Sequence, residues 1–142
     1  MKSRIKGILV FAALFVLLFS AVVKAAQKAE DLAVKASSQW LALVDGGKYA
    51  ESWGESAQMF RAAVTKEKWQ ESLTAVRKPL GKIISRSVKS KHYSRSLPGA
   101  PDGEYVVIQY DASFENKRSS GETVTPMLDN DGKWRVSGYY IR

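Results

Sequence analysis

The chain has 142 residues, with 22 Lys and Arg against 14 Asp and Glu for a net charge of +8, 45% hydrophobic and 11% aromatic residues, and no cysteine. That apolar fraction excludes a disordered polyelectrolyte and suits one domain with a buried core. The missing cysteines exclude disulfide scaffolds, thiolate zinc sites, iron-sulfur clusters, thiol nucleophiles and lipid attachment at an N-terminal cysteine.

Lys2, Arg4 and Lys6 precede an uncharged run over residues 8–23, after which come Lys24, Ala25 and Ala26. A charged start, an apolar stretch and a small-residue exit form the pattern of a secretory signal. Val23 and Ala25 supply the small residues three and one places before a cut, so cleavage is expected after Ala25, making residues 1–25 a signal peptide. The run is shorter than the ~20 residues that span a bilayer comfortably, and retention as an N-terminal membrane anchor is the alternative. Either reading places the domain outside the cytoplasm, in the periplasm or secreted, with inner-membrane anchoring as the second case. Cleavage removes Lys2, Arg4, Lys6 and Lys24 and no acid, which halves the net charge from +8 to +4.

Residues 26–34 are expected to hold a loose start, over residues 26–28, and the beginning of the first helix; residues 35–142 then form a single domain. Leu32, Ala36, Trp40, Leu43 and Val44 fall at the three-and-four spacing of one helix face, and Gly46 and Gly47 end that helix. A second helical stretch places Tyr49, Trp53, Ala57 and Phe60 on one side and Glu51 and Glu55 on another. Thr65 is positioned to cap a third, in which Trp69, Leu73, Val76 and Leu80 recur, and Pro79 and Gly81 close it.

Beyond Gly81 the period falls from 3.6 to 2. Residues 82–96 read as a strand, followed by a loop over residues 97–103 rich in Pro and Gly. Residues 104–114 give the clearest strand, with Val106, Ile108, Tyr110, Ala112 and Phe114 pointing inward. A turn over residues 116–121 leads to a strand at 122–128, and Asp129-Asn130-Asp131-Gly132 is a hairpin signal before a strand at 133–141. In that last strand Trp134, Val136 and Tyr140 are expected to share a face with Gly138, which leaves space above the sheet or bends it. The order is that of an α+β fold, N-terminal helices packed on a curved antiparallel sheet of about four strands.

Two stretches resemble a known family: Ser96-Leu97-Pro98-Gly99-Ala100-Pro101-Asp102-Gly103-Glu104-Tyr105-Val106-Val107, and Glu122-Thr123-Val124-Thr125-Pro126-Met127-Leu128 with Trp134-Arg135-Val136-Ser137-Gly138-Tyr139-Tyr140. With Trp40, Trp53, Phe60 and Trp69 they resemble the bacterial exported family called domain of unknown function 4019, over residues 35–142. The resemblance implies no established activity, catalytic residue or cofactor. The helix and strand order also looks like the cone-shaped fold of nuclear transport factor two and the cystatins, which hosts enzymes and binders alike.

Catalytic chemistry finds little purchase in the residues. His92 is the single histidine, in a Lys89-Ser90-Lys91-His92-Tyr93 context that reads as an exposed strand. A metal site would need the acids of Asp129-Asn130-Asp131-Gly132, whose composition is that of a tight turn. Asp111 is the one strand acid placed to act as a general base, and it is the candidate if the protein is a small-molecule enzyme; alternation puts it opposite the apolar face. We therefore expect no catalytic residues, metal or cofactor.

Two binding surfaces remain. Arg77, Lys78, Lys82, Arg86, Lys89, Lys91 and Arg95 form a basic segment without an acid, suited to an envelope protein or an anionic lipid surface rather than nucleic acid, and lysines there also guard a sheet edge. Trp40, Tyr110, Trp134 and Tyr140 would line a pocket for a small apolar ligand between sheet and helices. The sequence thus reads as an exported envelope protein, a non-catalytic binding or accessory module. The alternatives are an enzyme using Asp111 and a membrane-anchored structural domain.

Overall fold

A computed structural model describes the backbone of residues 2–142 and the side chains from residue 17 onward. Helix α1 (Lys2–Asp45) is followed by α2 (Tyr49–Gly54), α3 (Gln58–Ala63), α4 (Lys66–Arg77) and a 3₁₀ turn at Lys78–Leu80; then come β1 (Ile83–Ser94), β2 (Tyr105–Phe114), β3 (Lys117–Leu128) and β4 (Trp134–Ile141). The strands form one antiparallel meander in the order β1-β2-β3-β4. This is the expected α+β fold, with the helices on one face of a four-stranded sheet.

The expected loose start at residues 26–28 is helical, in keeping with its Ala, Gln and Lys composition. Residues 8–16 of the apolar run fall outside the described side chains, and the anchoring expectation rests largely on them; the expected cut after Ala25 lies within α1. Among the described residues no helix is long and apolar enough to cross a membrane.

α1 packs on the sheet through Ala29, Ala33, Ser37, Trp40, Leu41 and Val44. This face is rotated from the expected one: Leu32 is exposed, and Ala36 and Leu43 sit at its margin. Small side chains let the helix axis approach the sheet, so Ala33 and Ser37 were better guides to the buried face than Leu32. The helix ends as expected at Gly46-Gly47, with Gly47 at φ 73° and the Lys48 N–H bonded to the Leu43 carbonyl at 2.9 Å.

The second helical stretch is broken. Ala57 is extended, and its N–H donates to the Val136 carbonyl of β4 at 2.8 Å. The break therefore covers part of an edge strand with backbone from the helical layer. Asp129 Oδ2 accepts from the Gln58 N–H at the start of α3, tying that helix to the β3–β4 turn. Thr65 caps α4 as expected, its side chain accepting from the Lys68 N–H. α4 buries Trp69, Leu73 and Arg77 at successive turns while Val76 faces solvent, so a charged residue takes the position we expected an apolar one to fill.

β2 alternates as expected, with Val106, Ile108, Tyr110, Ala112 and Phe114 buried. β3 begins at Lys117, so the turn lies at Glu115–Asn116 rather than over 116–121. The loop at 97–103 folds back on the sheet, where the Tyr105 hydroxyl donates to the Pro101 carbonyl at 2.6 Å. A Cβ at Gly103 would meet the Tyr105 ring at 3.3 Å, a tight contact that the glycine avoids.

The largest departure is in β4. Thr125 pairs with Gly138 and Pro126 with Val136, so Ser137 is an extra residue, a β-bulge. Pro126 has no N–H to contribute to the ladder, and prolines inside sheets are found at such irregularities. One extra residue reverses the alternation beyond it. Tyr139 therefore points inward, packing on Trp40 and Trp69, and Tyr140 points out, 62% exposed. Gly138 faces Thr125 at ordinary contact distance and opens no pocket.

Candidate functional site

At one end of the interface between sheet and helices, four charged side chains are gathered where the sequence had suggested either core or basic surface. Asp45 stands at the end of α1, one turn beyond Leu41; Arg77 ends α4; Arg86 comes from β1; Glu122 lies on the inward phase of β3 with Val124 and Pro126. Asp45 accepts from Arg77 Nη2 at 2.7 Å and from Arg86 Nη1 and Nη2 at 2.7 and 2.9 Å. Glu122 accepts from Arg86 Nε and Nη2 and from the Tyr139 hydroxyl, which in turn accepts from Arg77 Nη1 at 3.3 Å. The Arg77 guanidinium also lies 4.9 Å from the centre of the Phe114 ring. Arg77 is 4% and Glu122 1% exposed. Two cations and two anions balance, which is what allows burial.

The same contacts set the protonation states. Burial alone would raise the Asp45 pKa, but the hydrogen bonds and charges of Arg86 and Arg77 outweigh it and hold the carboxyl below its usual 3.8. Burial, reinforced by the Glu122 charge, pushes the Tyr139 phenol far above its usual range, so Tyr139 remains a donor to Glu122. A carboxylate with a depressed native pKa stabilises the fold fully above its unfolded value, and that contribution is lost as pH falls through the native value. Unfolding midpoints in urea should therefore drop as the pH is taken from 5 to below 3, and Asp45→Asn should flatten that acid limb. An equally steep limb in Asp45→Asn would refute the assignment.

A concave feature of the surface lies between α1 and the start of β4. Ala36, Gln39, Trp40 and Leu43 recur at three- and four-residue spacing along α1 and form one wall; Glu51, Gly54 and Glu55 of the α2 end form another; residues 133–136 complete it. The volume is about 690 Å³, within the range of small-molecule sites, and the groove is open to solvent. Its polar groups are unlike those of the core. Trp40 Nε1 donates to the Ser52 carbonyl and Ser56 Oγ, Trp53 Nε1 to the Val64 carbonyl, and Trp69 Nε1 to Ser52 Oγ. Trp134, half-buried in the groove, has no acceptor for its indole N–H among the described residues. The side chains of Gln39, Glu55 and Lys133 are exposed beside it.

The expected pocket residues thus divide. Trp40 and Trp134 line the groove. Tyr110 is buried in the core and does not line the groove, its hydroxyl donating to Ser37 Oγ at 2.9 Å. Tyr140 is on the other face of the sheet because of the Ser137 bulge. The basic segment is dispersed in the same way. Arg77 and Arg86 are the cations of the buried cluster, Lys89 pairs with Asp111, and Lys91 pairs with Asp31, leaving Lys78, Lys82 and Arg95 unpaired at the surface among the described residues.

Asp111 lies on the outer face, its side chain 63% exposed and 3.4 Å from Lys89. This is the outward position that alternation along β2 predicted, and it gives Asp111 no enclosed site in which to act as a general base. His92 is exposed on β1. Asp129-Asn130-Asp131-Gly132 is the expected turn, with Gly132 at φ 78° and the Asp129 and Asp131 carboxylates taken by Arg135. Hydrogen bonds from Arg135 hold the Asp131 carboxyl below its ordinary pKa. Among the described residues no three His, Cys, Asp or Glu side chains are grouped to hold a metal ion.

Residues 36–139 match the family described as Protein of unknown function (DUF4019). The match spans most of the chain, and the protein belongs to that family. No curated protein matches it.

Proposed function

We propose that this member of the family is an exported, non-catalytic binding module of the bacterial envelope, with the groove between α1 and β4 as its binding site. Export is supported by the sequence of residues 1–26. The observation that carries the binding reading is the groove itself, about 690 Å³ and lined by the half-buried Trp134, whose indole N–H, unlike those of Trp40, Trp53 and Trp69, is not committed to an acceptor among the described residues. A non-catalytic role fits the surface positions of His92 and Asp111 and the commitment of Asp45 and Glu122 to arginines.

Gly54 provides the test, since it borders the groove and a Cβ there would meet nothing within 4 Å, which leaves room for a large side chain to obstruct the site. Native mass spectrometry of protein purified from its own envelope is expected to show a retained small molecule that the Gly54→Trp variant lacks. The same adduct on Gly54→Trp, or a bare wild-type protein, would overturn the groove as the site. Sequencing the N-terminus of that preparation should give Ala26; a start at Met1 would favour the membrane-anchored alternative.

A further inference from the structure

We propose that the free edge of β4 is a self-association surface, on which a second copy of this chain lays its own β4 antiparallel about a two-fold axis at Tyr140. Gly121 and Arg142 exchange both backbone hydrogen bonds, at 3.1 and 3.0 Å. In an antiparallel pair such residues alternate with ones whose backbone groups turn away from the neighbouring strand. Glu122 pairs with Ile141, Thr123 with Tyr140 and Val124 with Tyr139, so the N–H and C=O of Tyr139 and Ile141 point away from β3. These four groups have no hydrogen-bond partner among the described residues.

The opposite edge of the sheet, β1, is guarded. It carries Arg86, Lys89 and Lys91, its register shifts twice, and the Tyr93 N–H is taken by the Glu30 carboxylate of α1. β4 is closed only near its start, where the Val136 carbonyl accepts from the Ala57 N–H. Beyond the Ser137 bulge, Gly138-Tyr139-Tyr140-Ile141 holds no charge, no proline and no further register shift. An edge in that state is a template for another strand, and the closed Val136 keeps that strand from sliding along it.

The stretch is complementary to itself. With the axis at Tyr140, Tyr139 of each copy faces Ile141 of the other, and four hydrogen bonds use every out-turned group on both chains. Arg142 falls opposite the bare Gly138 of the second copy. The two Tyr140 rings, 62% exposed in the single chain, meet across the axis at the closer of the two cross-strand spacings. Both helical layers then lie on the same side of one continuous sheet.

The experiment is sedimentation equilibrium of the envelope-purified protein at up to about 0.5 mM, which detects dissociation constants below the millimolar range. A dimer is expected. Ile141→Pro removes an N–H that β3 does not use, and with it two of the four bonds; the dissociation constant should rise by about 10- to 100-fold with the thermal melt retained. Because the chain has no cysteine, Tyr140→Cys places a single thiol on the axis. Mild oxidation should cross-link it as a dimer, whereas Thr123→Cys, one strand further in on the same face, should stay uncross-linked. A single-chain mass at every concentration, a dimer indifferent to Ile141→Pro, or equal cross-linking of the two cysteine variants would overturn the proposal. A stoichiometric complex with a different polypeptide, lost in Ile141→Pro, would overturn it too, by making the edge a seat for a foreign strand.

Discussion

Glu122→Gln is expected to lower the stability of the fold by about 3–5 kcal/mol, the cost of breaking a buried ion pair from one side. Glu122 is completely enclosed and receives Arg86 through two nitrogens and the Tyr139 hydroxyl. The amide that replaces it can still accept through one oxygen, but Arg77 and Arg86 are then left with Asp45 as their only counter-charge among the described residues. Water cannot reach these guanidinium groups freely, so the uncompensated positive charge remains inside. Removing the pair together should be milder: Arg86→Met with Glu122→Leu is expected to cost less than Glu122→Gln, since burying an apolar pair avoids the desolvation of both ions. Chemical denaturation of the three proteins checks both statements. A loss under about 1 kcal/mol in Glu122→Gln would mean that the cluster is hydrated and not a structural joint.

Trp40→Ala should cost a similar amount, about 3–5 kcal/mol, for a different reason. The Trp40 ring lies between Trp69, at 5.9 Å between centroids, and Tyr139, at 5.3 Å. Its N–H holds the Ser52 carbonyl and the Ser56 hydroxyl, which fix the end of α2 against α1. Truncation leaves a cavity at the junction of α1, α2, α4 and β4, and the large neighbours cannot collapse into it without leaving their own partners. The near-ultraviolet circular dichroism, which reports the packed aromatic cluster, should fall with it. Trp134→Ala is the contrasting case, with a loss of at most about 1 kcal/mol, because that ring is half-buried and its N–H holds nothing inside the protein. Comparable losses for Trp40→Ala and Trp134→Ala would erase the distinction between core tryptophan and groove tryptophan.

That distinction was partly legible in the residues. Both tryptophans were candidates for a pocket on position in their elements, but periodicity gives a face and not the use of an indole N–H. The acceptors for Trp40 and Trp69 come from Ser52 and Ser56, which read as ordinary helix-surface serines until α2 and α4 are packed on α1. Gln39 and Lys133 had no signal, and Glu55 read only as part of the polar side of a helix. They matter because three separate elements bring them to one groove, a juxtaposition that depends on tertiary packing.

The buried cluster shows a different limit. Three of its four charges occupy an apolar phase: Asp45 one turn after Leu41, Arg77 one turn after Leu73, and Glu122 two residues before Val124. A charge at an inward position is a visible anomaly, and three of them point to an internal network, whereas Arg86 stands in β1 between Ile84 and Val88, both exposed. Reading Arg77 and Arg86 with their neighbours along the chain instead grouped them into a basic surface segment that the fold takes apart.

By itself the sequence determined the α+β class, the helices ended by glycine and capped by Thr65, the inward face of β2 and the turn at Asp129–Gly132. These follow from local backbone preferences and from repeat periods of 3.6 and 2, which one chain segment carries alone. Tertiary structure alone decided the rotation of α1, the partners of the charges and the direction of the last strand. The reason is clearest at Pro126: a proline in β3 is accommodated by an extra residue in β4, and that one residue turns Tyr139 onto Glu122 and sends Tyr140 to solvent. No period within β4 records a constraint that originates in its neighbour.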